Sequence, residues 1–394
     1  MSADAATLCV HAPDPPGGFA SLVPPVHRAS TVTFPDAAAF AGRGARLYDG
    51  YSYGLYGTPT TRGLEDHLAL LEGGSRAILL PSGLAAIATA SLALTAAGDR
   101  VLLPASFYGP GRAMAETLLS RFGVAVTAYD PKLDAGLAGL LDERTRLVWV
   151  ESPGSATFEV QDVPLVARLA HARGALVAAD NTWATPLGFR PLDHGVDVSM
   201  ASLSKYAGGH SDLLMGSLAV RDEALFRRLK DTARMLGHGV SGEDCFLVSR
   251  GLATMPLRLA RSAGSAATLM ERLAGRPEVL RILHPSHPGH PGHAVWRRDF
   301  HGGAGLFGLV LRPDLAPAVP GALGALRLFR IGASWGGAHS LVAPSDPRAG
   351  RDDLGWLPAG PYLRVAVGLE DPDDLLVDLG RMLDALHHRG ADAA

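Results

Sequence analysis

Only three of the 36 basic residues are lysines, Lys132, Lys205 and Lys230, and one of them sits where an amine can do chemistry. Val196 to Asp212 reads as a strand ending in a small, polar turn that carries Lys205. In open α/β sheets ligands gather beyond the carboxyl ends of the strands, so this amine is expected to face a crevice. There it is able to form a Schiff base with an aldehyde cofactor and to shuttle protons once substrate has displaced it. Most lysines are merely solvated surface groups, so the reading needs companions. Twenty-five residues earlier, Ala175 to Asp180 is a second apolar strand ending in a carboxylate. Alone, Asp180 fits a helix cap or a turn equally well. Beside Lys205, it suits the pyridinium nitrogen of pyridoxal 5′-phosphate, which must stay protonated for the ring to accept electrons. Leu80 to Ala86 then supplies a strand, a small-residue turn and a helix start. Free N–H groups at Gly83 and Leu84 suit a phosphate dianion, and the Ser202 and Ser204 hydroxyls flanking the lysine add donors.

Two further patterns carry less. Gly303, Gly305 and Gly308 match a GxGxxG string, but a strand follows where a dinucleotide site requires a helix. His284, His287, His290 and His293 recur every third residue in a Pro/Gly-rich stretch. Only a helix-like turn would gather them on a metal, and the prolines oppose one, so a solvated loop is expected and no metal site is assigned.

Positioning these residues requires a sheet. From about Thr60, short apolar strands (77–80, 100–103, 124–129, 147–151, 175–179) alternate with helical windows (64–71, 83–97, 111–122, 163–173), the rhythm of an α/β fold with a mostly parallel sheet. After about Arg250 come a helix to Leu273, strands at 305–311 and 363–367 and a closing helix with Leu375, Leu379, Met382, Leu383 and Leu386 on one face. These describe a smaller α+β domain. The Pro- and Gly-rich start reads as an extended arm that needs a neighbouring surface, which hints at an oligomer. The division expected is an arm over 1–58, a cofactor-binding domain over 59–250 and a C-terminal domain over 251–394.

The 394 residues, 47% hydrophobic and 19% charged with net charge −3, exceed one ordinary core and carry no bias toward nucleic acid or anionic membranes. Cys9 and Cys245 have no metal or redox spacing. The first sixteen residues lack the basic flank and apolar core of a signal peptide, and the apolar run 83–97 is too short to span a membrane. A cytoplasmic protein is the expectation.

Over nearly its whole length the sequence resembles the Cys/Met-metabolism family of pyridoxal-phosphate enzymes, and within it the branch that cleaves cystathionine by β-elimination. The motifs are Glu151-Ser-Pro-Gly-Ser155, Asp180-Asn-Thr-Trp183, Ser204-Lys205 through Asp212, Ser334-Trp-Gly-Gly337 and Gly368-Leu-Glu-Asp371. The resemblance implies fold type I, the aspartate-aminotransferase type, and a tetramer built of dimers with shared active sites. It implies Lys205 as Schiff-base lysine and proton shuttle, Asp180 as pyridinium partner and Tyr108 as the ring stacked on the cofactor. Tyr53 would reach the phosphate and substrate amine of a neighbouring subunit. Arg364 would clamp the substrate α-carboxylate, with Ser334 and Trp335 beside it. The implied products are homocysteine, pyruvate and ammonia.

The sequence departs from that pattern at Leu55, where relatives carry a phosphate-binding arginine that Arg62 is the nearest residue to replace, and at Ala333, Ala338 and His339, which bear on the distal half of the substrate. Sister activities stay open: γ-lyase, γ-synthase, sulfhydrylase, or desulfhydration of cysteine or cystine. A non-catalytic binding or regulatory protein on the same fold is the alternative of another class, though it would have no physical need for Lys205, Asp180 and Arg364 together.

Overall fold

The computed structural model describes residues 4–11, 22–352 and 354–388. Its larger sheet has seven strands: β1 (Arg76–Leu80), β2 (Arg100–Pro104), β3 (Ala125–Tyr129), β4 (Thr145–Glu151), β5 (Leu176–Asp180), β6 (Val198–Ser202) and β7 (Gly216–Val220). Their order is β1-β7-β6-β5-β4-β2-β3. The five strands from β6 to β3 run parallel, and β7 lies antiparallel to both β1 and β6. Both faces are covered, which is why the strands read as continuous apolar runs rather than alternating ones. In β4, Leu147 and Trp149 join one core with Ile78, Ile87 and Leu103. Val148 and Val150 join the opposite core with Leu79, Val166 and Leu252.

The Gly83–Leu94 helix starts at Ser82, whose side chain accepts the Ala85 N–H, a standard N-cap. It ends at Leu94, three residues before the expected limit. The expected 111–122 helix is instead a short helix at Gly109–Met114 continued by a wider turn at Ala115–Leu119.

The second sheet, β8 (Val279–Leu283), β9 (Leu306–Leu311), β10 (Arg330–Ile331), β11 (Leu341–Ser345) and β12 (Tyr362–Ala366), has the order β10-β11-β12-β9-β8. The closing Pro372–His388 helix buries Leu375, Leu379, Met382, Leu383 and Leu386 against Phe307, Leu309 and Val365. A single helix, Gly242–Leu273, continues through the expected boundary at 250.

Two expectations need correction. Part of the N-terminal arm is not extended: Ala5–Val10 is helical, capped by Asp4, with Cys9 buried and the Leu8 carbonyl bonded to His67 Nε2 at 2.6 Å. Residues 1–3 and 12–21 of the arm lie outside the described residues. The histidine loop is not solvated either. His284 and His290 are 2% and 6% exposed, and burial pushes both imidazoles down to about 4, so they are neutral packing groups. Only His287 of the four is exposed. Among the described residues no three His, Cys, Asp or Glu side chains are grouped to hold a metal ion, and no helix is long and apolar enough to cross a membrane.

Candidate active site

The carboxyl ends of β4, β5 and β6 open into one cavity of about 140 Å³, lined by Gly83, Tyr108, Glu151, Asp180, Lys205 and Trp335 among others. Each lining residue arrives for a structural reason. β5 ends at Asp180, and β6 ends at Ser202 three residues before Lys205. Thr182 ties these ends together, its Oγ1 accepting the Ser202 N–H at 2.9 Å while its own N–H donates to Asp180 Oδ1 at 3.0 Å.

The Lys205 ammonium donates to Ser334 Oγ at 2.8 Å and lies 4.8 Å from the Trp335 ring centre. Burial and the nearby Arg364 charge hold this amine below the ordinary lysine range, with Asp180 pulling the other way. Easier loss of its proton is what a nucleophile and general base requires. Arg364 comes from β12, in the second sheet. Its guanidinium lies 5.0 Å from the Trp335 ring and donates to the Ala333 carbonyl and, at 3.3 Å, to that of Ser155. Lys205, Ser334, Trp335 and Arg364 therefore meet although 159 positions separate the first from the last.

Pyridoxal phosphate can be tested against these residues. The first turn of a helix leaves its N–H groups without intrahelical partners, and here they belong to Gly83 and Leu84. A Cβ on Gly83 would come within 2.9 Å of the Ser202 side chain, so glycine alone lets the helix start approach the end of β6. Asp180 is a buried carboxylate, raised by desolvation, and among the described residues no cation hydrogen-bonds to it. Leaving a carboxylate in that state is costly, and a protonated ring nitrogen would relieve it. The residues fit the group.

Three expected residues behave differently from the rest. Ser204 lines the cavity, but its hydroxyl is tied to the residue just before β7, donating to the Met215 carbonyl at 3.3 Å and accepting the Met215 N–H at 3.0 Å. Tyr53 stays outside the cavity, 44% exposed on the arm with its ring 5.8 Å from that of Tyr56. Leu55 is half-buried in a nook of mixed polarity, lined by Ile78 and Ala233 and also by Lys230, Asp231 and Arg234. Arg62 does not stand in for the arginine missing there: it is paired with Glu65 at 2.8 Å and donates to the Tyr56 carbonyl.

Sequence reasoning missed Glu151, Thr182, Trp183 and Leu214 as lining residues. Glu151 was readable as the last residue of an apolar strand, the same signal that singled out Asp180.

Comparison with known proteins places the chain among relatives of one family. The family model described as "Cys/Met metabolism PLP-dependent enzyme" matches residues 6–384. A cystathionine beta-lyase from Bordetella avium is 42% identical over 94% of this chain and 94% of its own length. An L-alanine/L-glutamate racemase from Wolbachia pipientis wMel is 36% identical over 93% of each chain. The crystal structure of metB from Corynebacterium glutamicum superposes with a TM-score of 0.89 at 28% identity, covering 98% of this chain and 99% of that one.

Proposed function

The chain belongs to the Cys/Met metabolism PLP-dependent enzyme family, a fold-type I α/β enzyme with pyridoxal 5′-phosphate as cofactor, and from that premise we propose that it cleaves the Cβ–S bond of cystathionine. The products are homocysteine, pyruvate and ammonia. The observation that carries the proposal is the Lys205–Ser334 hydrogen bond at a cavity lined by Asp180 and Trp335, with the Arg364 guanidinium 5.0 Å from the Trp335 ring.

Bound pyridoxal phosphate supplies an aldehyde for exchange with the substrate amine and a ring that withdraws electrons from Cα. Gly83, Leu84 and Ser202, with a lesser part for Ser204, hold the phosphate. Asp180 would keep a proton on the ring nitrogen, and Tyr108 would cover the ring. Arg364 pairs with the substrate α-carboxylate and fixes which Cα bond breaks, since a planar carboxylate suits a planar guanidinium. Lys205, freed by amine exchange, takes the proton from Cα; Ser334 aims its Nζ, and Trp335 keeps water away from it. The thiolate then leaves Cβ and takes that proton from Lys205 to become the homocysteine thiol, and the aminoacrylate that is released is hydrolysed by water to pyruvate and ammonia. Tyr53, exposed on the arm, serves the phosphate and amine of a neighbouring subunit's site.

On the same reading the chain divides into an arm (1–58), a cofactor-binding domain (59–250) and a C-terminal domain (251–394). It assembles as a cytoplasmic homotetramer with active sites shared in pairs. The deciding experiment identifies products from cystathionine, cystine, methionine and L-alanine. Pyruvate with homocysteine is expected; 2-oxobutyrate with cysteine would move the enzyme to γ chemistry. D-alanine from L-alanine without any elimination would favour the racemase activity of the Wolbachia relative.

A further inference from the structure

Next to Asp180 stands a carboxyl group that the mechanism above does not use. β4 and β5 are parallel neighbours whose last residues, Glu151 and Asp180, are paired in register, and both reach the cavity. Two carboxylates there would be redundant in that one role, since the ring nitrogen needs one. Glu151, however, is built into different contacts. Its Oε2 accepts the backbone N–H of Tyr108 at 2.6 Å, and it hydrogen-bonds the Ser155 side chain. The Ser155 carbonyl in turn accepts from Arg364. The two segments are pressed together at this point: a Cβ on Gly154 would come within 2.7 Å of the Ser106 side chain.

We propose that Glu151 is a positioning residue, a hydrogen-bonding carboxyl group that fixes the backbone of Tyr108 and, through Ser155, the guanidinium of Arg364. This rests on the roles given above to Tyr108 and Arg364. The groups that face Glu151 are Asp180 on β5, Glu159 beyond the Ser152–Ser155 turn, Tyr108 and Arg364. Burial first, and then the Asp180 charge, push the Glu151 carboxyl well above the usual carboxylate range. Asp180 keeps the negative charge of the pair because Thr182 and Lys205 favour its ionised form. Glu151 then acts with its proton on: one oxygen accepts from Tyr108, and the carboxyl group keeps its hydrogen bond to Ser155. Like charges at this separation exclude one another, so a neutral Glu151 leaves Asp180 alone to answer the ring nitrogen.

Holoenzyme carrying Glu151→Gln or Glu151→Leu tests this. Glutamine keeps an acceptor and a donor without charge, whereas leucine removes the acceptor of the part-buried Tyr108 N–H. Leu is expected to raise KM for cystathionine about tenfold or more and to weaken the visible circular dichroism of the bound cofactor, and Gln to bring KM back to within about threefold of wild type. The pH midpoint of the visible absorption should move by less than about half a pH unit in Gln, because no charge has been removed. If Gln loses as much as Leu, or shifts that midpoint by about one pH unit or more, the residue acts through charge and the proposal fails. It fails too if Leu matches wild type. Should Leu not retain cofactor, the dichroism and midpoint of Gln decide alone. Arg364→Leu, assayed alongside, separates the outcomes: if that variant is also unimpaired, the reading of Arg364 itself is wrong.

Discussion

At the scale of single residues, Lys205 and Arg364 carry the sharpest expectations. The holoenzyme should be yellow, and borohydride should abolish the visible band while fixing the cofactor to Lys205, a result peptide mapping reads directly. Label confined to Lys132 or Lys230 would contradict the assignment. Arg364→Leu removes a partner of the substrate carboxylate and should lower kcat/KM by roughly two orders of magnitude, about 3 kcal/mol, while the visible band persists. Steady-state kinetics beside an absorption spectrum distinguishes that outcome from loss of cofactor. Lys205 and Asp180 were legible in the sequence because Asp180 ends a strand and Lys205 sits in the turn just after one, and strand ends are where such sheets bind ligands. Glu151 meets the same criterion at the end of β4. What set it apart from Asp180 was contact with Tyr108 and Ser155, and spacing along the chain does not report contact. Ser204 erred in the other direction: its place beside the lysine suggested a free donor, and only the fold shows the hydroxyl bonded to Met215.

At the scale of elements, the parallel strands and their helices were readable because burial on both faces makes short apolar runs bounded by turns. β7 was not. Gly216–Val220 has the same apolar character as the parallel strands, and nothing local announces that it runs antiparallel between β1 and β6. The histidine loop departs from expectation because Pro and Gly do not by themselves imply solvent: His284 packs against Trp183 with ring centres 5.5 Å apart. The Pro59–Glu72 helix hides a different feature at its last residue. Glu72 is buried and accepts the Ser199 hydroxyl at 2.8 Å from β6, and burial pushes its carboxyl up to about 7 from an ordinary 4.5, opposed by Ser199 and Arg190. Below about pH 4.5 the folded and unfolded chains both hold that proton. As the pH rises from there toward 7 the unfolded chain releases it first, so stability falls by up to about 1.4 kcal/mol per pH unit. Glu72→Gln keeps an acceptor and cannot ionise. Thermal denaturation should therefore show the variant gaining on wild type as the pH rises through that window, and an advantage that does not change with pH would disprove the account.

At the scale of the whole molecule, the residues of the candidate site come from both sheets. Lys205 and Asp180 come from the larger one, and Arg364 from β12 of the smaller, so the docking of the two decides whether substrate can be held. The arm adds a third contributor if Tyr53 serves a neighbour. Its exposure, with Val23 and Phe40 also exposed on the same segment, suits a surface that a second copy covers. This has a quantitative consequence. Lys205→Ala and Tyr53→Ala should each have little activity alone. In a dimer with one copy of each, one site combines the intact lysine of the second variant with the intact tyrosine of the first, while the other site lacks both. Random re-association makes half the dimers mixed, each with one of two sites restored, so activity should return to about a quarter of the wild-type value per site. If Tyr53 instead served the cavity of its own chain, every site in the mixture would lack one residue or the other, and mixing would restore nothing.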